Sequence, residues 1–79
     1  MVPKFYFNLY DDLTVIDDEG VDLPDVSAAR ERASKDARHI ACTEVLHGHL
    51  DLRHRIDVVD ESGSVVATVQ FKDVLQVDA

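Results

Sequence analysis

The chain is poor in cysteine, glycine and proline, and it has no tryptophan. Its one cysteine, Cys42, cannot form an internal disulfide, which excludes a disulfide-stapled fold and is typical of a reducing compartment. No apolar run reaches the length of a membrane span, and the opening MVPKFYF has the pattern of neither a signal peptide nor a transit segment. We therefore expect a cytoplasmic protein that does not act at a membrane.

Positive charge is also scarce. Sixteen acidic residues against eight basic ones give a formal net charge of −8, and such a field repels phosphate backbones. We therefore do not expect a nucleic-acid partner. Most of the basic residues fall in the middle third of the chain: Arg30, Arg32, Lys35, Arg38, Arg53 and Arg55. This local basic face is either a solvated helix face or a contact for an acidic partner.

The length of 79 residues predicts one domain, residues 1–79. A chain this short buries only about 60–65 % of its unfolded surface, so its core is marginal. Domains of this size often gain stability by pairing with a copy of themselves or with another protein. We therefore expect a homo-oligomer or a complex with a small protein partner.

Alternation of apolar and polar residues predicts four strands. The first covers residues 5–9, and the acidic pair after it is a turn signal that leads into a second strand at residues 13–16. The third and fourth, residues 55–60 and 65–71, are joined by a turn centred on Gly63. The inward face of the fourth strand is predicted to hold Val65, Ala67, Val69 and Phe71. Residues 74–77 either extend this strand or pack as a tail.

Between the two strand pairs the apolar spacing becomes helical, from Val26 to about His47. Asp25 or Ser27 is suited to cap the start of this helix, and Gly48 to close its end. The apolar stripe is mostly alanine, which permits close approach to a sheet. The predicted fold is therefore α+β in the order ββαββ, a four-stranded antiparallel sheet made from two hairpins with one long helix packed on one face.

The segment HGHLD, residues 47–51, reproduces the H-x-H-x-D core of a binuclear zinc motif. His47, His49 and Asp51 can converge on one ion only on an extended or turn backbone. No second ligand cluster accompanies them, and no spacing directs His39 or His54 to the same ion. The alternative is a helix end, with His47 in the last turn and Gly48 after it. We favour the helix end and expect no cofactor, with a metal- or ligand-binding protein as the alternative.

No pattern in the sequence predicts catalysis. A nucleophile needs an oriented base and a preorganised oxyanion site, and no motif supplies either. Cys42 and His39 are an i,i+3 pair on one helix, and Cys42 falls off the apolar stripe, so we expect it to be at least partly exposed. We therefore expect a protein that is not an enzyme.

The sheet face that the helix leaves uncovered is the predicted interaction surface. Tyr6 and Tyr10 alternate with the apolar residues of the first strand, and Val66 and Thr68 do so in the fourth. A tyrosine on such a face is typical of a dimer contact or a cross-strand pair. The predicted function is a protein–protein interaction or regulatory module, in homodimeric form.

Three segments carry a resemblance to a family: FYFNLYDD, then DDEGVDLPD followed by AARERA, and RIDVVDESGSVVATVQFKDVL. They are similar to short uncharacterised bacterial proteins that are numerous in rhizobia and related alphaproteobacteria. That family has no established activity, so the resemblance implies no catalytic residues. The strand–strand–PD–helix beginning is also similar to the HicB-like antitoxin fold, although a glycine-containing segment of those proteins is missing here. This second resemblance implies a binding module by fold analogy alone.

Overall fold

A computed structural model describes residues 2–76 and 78. The described residues form five strands and two helices. In chain order these are β1 (Lys4–Tyr10), β2 (Thr14–Val15), β3 (Val21–Asp22), α1 (Val26–Leu46), β4 (Arg55–Val59), β5 (Val65–Gln70) and α2 (Phe71–Val74). None of the described helices combines the length and the hydrophobicity needed to cross a bilayer.

The strands form one antiparallel sheet in the order β2–β1–β4–β5, and β3 also pairs with β1. Leu9 near the end of β1 lies opposite Val15 of β2, and Phe5 near its beginning lies opposite Val21 of β3. The two short strands therefore share one edge of the sheet. The predicted α+β class, antiparallel sheet and long helix are confirmed. The four-strand ββαββ order was wrong, because β3 is too short to show an alternation.

The long helix begins and ends close to its predicted limits. Asp25 Oδ1 accepts a hydrogen bond from the Ala28 backbone N–H at 2.8 Å, which satisfies one of the free donors of the first turn. At the other end Gly48 has φ of 77°, its N–H donates to the Val45 carbonyl, and the His49 N–H donates to the Glu44 carbonyl. This pair of bonds is a Schellman motif, so the predicted helix end is confirmed.

Alanine lines the buried face of α1, which packs mainly against β4, β5 and α2. The small side chains let the helix lie close to the sheet. The buried residues are Phe5, Ala29, Ala33, Ala37, Ala41, Ile56, Val58, Ala67, Val69 and Phe71. The helix therefore covers the β4–β5 half of its sheet face more fully than the β1–β2 half. Cys42 is exposed, as its position off the alanine stripe predicts.

The last hairpin departs from simple alternation. Val58 pairs with Ala67 and Val59 with Val65, so the register shifts at this point and Val66 is the extra residue. Val65 is consequently 56 % exposed rather than inward, and Val66 packs against the core. Phe71 is buried as predicted, but it begins α2, so the chain turns into a helix instead of extending the strand. Val77, at the end of the predicted tail, lies outside the described residues.

Candidate functional site

The candidate site lies where α1 ends, next to the turn that follows β1. Tyr10 pairs with Arg55, and this register brings Asp11 and Asp12 close to His54, the residue just before β4. Glu44 reaches the same place from the last turn of α1. Beside this cluster is a cavity of about 370 Å³, lined by Asp11, Asp12, His39, Ile40, Thr43, Glu44, His47 and His49.

His54 is the centre of the cluster and is only 6 % exposed. Its Nδ1 donates to Glu44 Oε1 at 2.8 Å. Its Nε2 faces Asp51 Oδ2 at 3.6 Å and Asp12 Oδ1 at 3.7 Å. The ring also packs edge-on against Phe71, with the centroids 5.5 Å apart. A buried imidazole is thus enclosed by three carboxylates and one aromatic ring.

The backbone fixes this imidazole in place. The His54 N–H donates to the Asp51 carbonyl at 3.3 Å, and the Phe71 N–H donates to the His54 carbonyl at 2.9 Å. The Asp51 carboxylate is itself held by the Arg53 guanidinium, with contacts of 2.9 and 3.0 Å. This hydrogen bonding holds the pKa of Asp51 well below its usual range. Asp51 is therefore a carboxylate already neutralised by a neighbouring cation.

Two buried atoms of the cluster lack a hydrogen-bond partner among the described residues, Glu44 Oε2 and His54 Nε2. Buried polar atoms are normally bonded, so each such atom requires an explanation. The possible ligand atoms of Asp11, Glu44 and His54 all lie within 4.8 Å of one another. In residues 2–76 and 78, no lysine or arginine lies within ion-pair distance of Asp11, Asp12 or Glu44. The cluster therefore carries an excess of negative charge.

The three residues of the predicted HGHLD metal set, His47, His49 and Asp51, have separate surroundings in the structure. His47 Nδ1 donates to the Thr43 carbonyl at 2.8 Å and so ties His47 to the helix end. The His49 ring lies 6.2 Å from the His54 ring, and Asp51 lies beside His54. Sequence reasoning missed Glu44 and Asp11. Neither is signalled by spacing, because only the β1–β4 register and the end of α1 bring them together.

The predicted interaction surface contains contacts within the chain. The Arg55 guanidinium lies 4.3 Å from the centroid of the Tyr10 ring. Thr68 Oγ1 donates to Asp57 Oδ1 at 3.0 Å on a neighbouring strand. Tyr6 is half-buried, and Val66 packs against the core at the bulge. Cross-strand pairs therefore engage part of this face already.

A second surface lies at the β2 edge. Leu13 is 75 % exposed, Val15 53 % and Ile16 58 %, and we call these three residues the β2 apolar surface. Val15 stands directly opposite Leu9, which packs on the core, so Val15 lies on the same sheet face as α1. The apolar layer under the helix is therefore open at this edge.

The family model for a domain of unknown function, DUF6894, matches residues 4–72. This match covers most of the chain, so the protein belongs to that family. No match was found among curated proteins or among solved structures.

Proposed function

We propose that this member of the DUF6894 family is a non-catalytic protein–protein interaction module of the cytoplasm that functions as a homodimer. The β2 apolar surface carries the proposal. Three large aliphatic side chains within four residues are each more than half exposed, and exposed apolar residues grouped in this way tend to mark a binding surface. A domain with a small, alanine-rich core gains stability when a partner covers such a patch.

A second copy of the chain is the partner that fits this surface. A twofold axis beside β2 places the two patches face to face, so that each closes the open edge of the other.

The expected affinity is modest. Burying six aliphatic side chains that are already partly covered contributes roughly 1–2 kcal/mol each. That total is comparable with the approximately 4–15 kcal/mol that association costs in lost freedom. A dimer with a dissociation constant in the micromolar range or weaker is therefore expected, and it must be studied over a wide range of concentrations.

The uncovered sheet face is the second candidate surface for the same function. Tyr6 and Tyr10 of β1 and Thr68 of β5 lie on this face, whereas Val66 packs against the core at the bulge. The resemblance to HicB-like antitoxins and the bacterial distribution stay expectations from the sequence, because the family match bears on neither. The resemblance favours a binding module, but it does not distinguish between the two candidate surfaces.

Sedimentation equilibrium of the wild type and three single variants tests the proposal. Val15→Asp places a charge in the β2 apolar surface and should yield monomers at concentrations where the wild type is dimeric. Val65→Asp is the matched control, because Val65 is equally exposed but lies in β5 at the opposite edge. Tyr6→Asp tests the sheet face. A monomeric wild type throughout contradicts the homodimer, and a dimer lost only on Tyr6→Asp moves the interface to that face.

A further inference from the structure

The geometry points to a divalent transition-metal site formed by Asp11, Glu44 and His54, with Zn²⁺ as the ion that its donor atoms suit best. These residues come from three separate parts of the fold: the turn after β1, the last turn of α1 and the position just before β4. The site is independent of the proposed dimer, since none of its three ligands belongs to the β2 apolar surface.

The side chains are close to the spacing that a common ion requires. Ligand bonds of about 2.0–2.2 Å place neighbouring ligand atoms roughly 3–3.5 Å apart in a tetrahedral site. His54 Nδ1 and Glu44 Oε1 are 2.8 Å apart, and Asp11, Glu44 and His54 each offer a ligand atom within 4.8 Å of those of the other two. Asp11 lies in the turn after β1, where its Oδ1 accepts from the Leu13 N–H at 2.8 Å, and its carboxylate would have to rotate toward Glu44 to complete the site.

A bound ion explains both unpartnered buried atoms. If the ion takes the place of the proton between His54 Nδ1 and Glu44, the second carboxylate oxygen, Glu44 Oε2, can join the coordination. The imidazole proton then resides on Nε2, which faces the Asp51 carboxylate at 3.6 Å. A metal-bound histidine typically donates its other ring N–H to a carboxylate in this way.

Charge and donor chemistry select the kind of ion. Asp11, Asp12 and Glu44 have no lysine or arginine partner in the described part of the chain, whereas Asp51 is neutralised by Arg53. A dication would therefore balance carboxylate charge that no lysine or arginine pairs with in this part of the chain. One imidazole with two carboxylates suits Zn²⁺ better than Ca²⁺, which takes six to eight oxygen ligands. The adjoining cavity leaves room for water at the open coordination position.

Isothermal titration calorimetry on the full chain, freed of metal with a chelator and then transferred to a non-chelating buffer, tests the site. ZnCl₂ should bind the wild type with one ion per chain, and CaCl₂ should not bind. Glu44→Gln and Asp11→Asn should each weaken zinc binding by roughly tenfold or more, since each replaces an anionic carboxylate ligand with a neutral amide. Asp18→Asn, an exposed carboxylate outside the cluster, is the control for charge.

The same variants should change the response of thermal unfolding to zinc. ZnCl₂ should raise the Tm of the wild type and of Asp18→Asn, and at the same zinc concentration it should raise the Tm of Glu44→Gln by much less. Wild type that binds no zinc, or binds calcium equally well, overturns the inference. Binding lost on His49→Gln but retained on Glu44→Gln also overturns it, and would assign the ion to the predicted set of His47, His49 and Asp51. Zinc bound by every variant alike is adventitious binding and overturns it as well.

Discussion

Asp17 fastens the loop that interrupts the β2–β3 edge, and replacing it with alanine should destabilise the domain strongly. Its Oδ2 accepts from the Phe7 N–H of β1 at 3.1 Å. Its Oδ1 accepts from the Glu19 and Gly20 N–H groups at 3.0 and 3.1 Å. Its own N–H donates to Asn8 Oδ1 at 3.0 Å. One side chain thus supplies hydrogen bonds to β1 and to the loop that leads into β3.

The size of the effect follows from where each donor lies. The Phe7 N–H is in a half-buried strand and would lose its partner, which costs about 1–3 kcal/mol. The loop N–H groups can bind water, so their loss costs roughly 0.5 kcal/mol each. The sum for Asp17→Ala is about 2–4 kcal/mol. A domain of this size has roughly 4–12 kcal/mol of total stability, so the variant should lose a large share of it.

Urea unfolding followed by circular dichroism measures this loss. The midpoint should fall with little change in slope, and the Tm should drop by roughly 10–25 °C. Asp18→Ala is the matched control, because Asp18 is the next residue along and is exposed. If Asp17→Ala unfolds within about 0.5 kcal/mol of Asp18→Ala, the loop is not held in the way described.

Three further changes have defined outcomes. Partial burial of Asp17 opposes its ionisation, but hydrogen bonds from the N–H groups of Gly20, Phe7 and Glu19 outweigh this effect and lower the pKa of Asp17. The ionised side chain therefore stabilises the fold above the unfolded pKa of about 3.9, and this stabilisation is lost as the pH falls through the lower folded pKa. The stability gap between wild type and Asp17→Asn in urea titrations should accordingly shrink from pH 7 to pH 2. Gly48→Ala should cost roughly 1–2 kcal/mol in urea unfolding. The cost comes from backbone strain, because φ is positive and, apart from the chain neighbours of Gly48, no described atom lies within 4 Å of the added Cβ. Ala33→Leu should cost about 1–3 kcal/mol in the same assay, since Ala33 is fully buried where α1 meets the core. An unchanged midpoint of urea unfolding would contradict the close packing of the helix on the sheet.

The long helix could be predicted from the sequence because its signals are local. Alanine at helical spacing, an aspartate before the first turn and a glycine after the last one each act within a few residues. The strands with strong alternation, β1, β4 and β5, were predictable for the same reason. β2 and β3 were harder, because a two-residue strand exists only through its pairing with β1. The bulge at Val66 likewise depends on its partner strand.

The candidate site could not be predicted, because its parts meet through tertiary structure. His54 stands between two arginines in the sequence, a context typical of an exposed residue. It is buried because the Tyr10–Arg55 register and the end of α1 surround it with Asp11, Asp12 and Glu44. The HGHLD segment lies beside the candidate site, and its Asp51 faces His54. Its most evident member, His47, is bound to the helix instead.

The central proposal is a homodimer formed through the β2 apolar surface, and a dilution series of ¹⁵N-labelled wild type followed by NMR tests it most directly. The amide signals of Leu13, Thr14, Val15 and Ile16 should shift or broaden as the protein concentration rises from about 10 μM to 1 mM, the range that a weak dimer requires. Signals of Tyr6 and Thr68, which do not pair with β2, should move little. Spectra independent of concentration, or changes confined to the tyrosine-bearing face, would contradict the proposed interface.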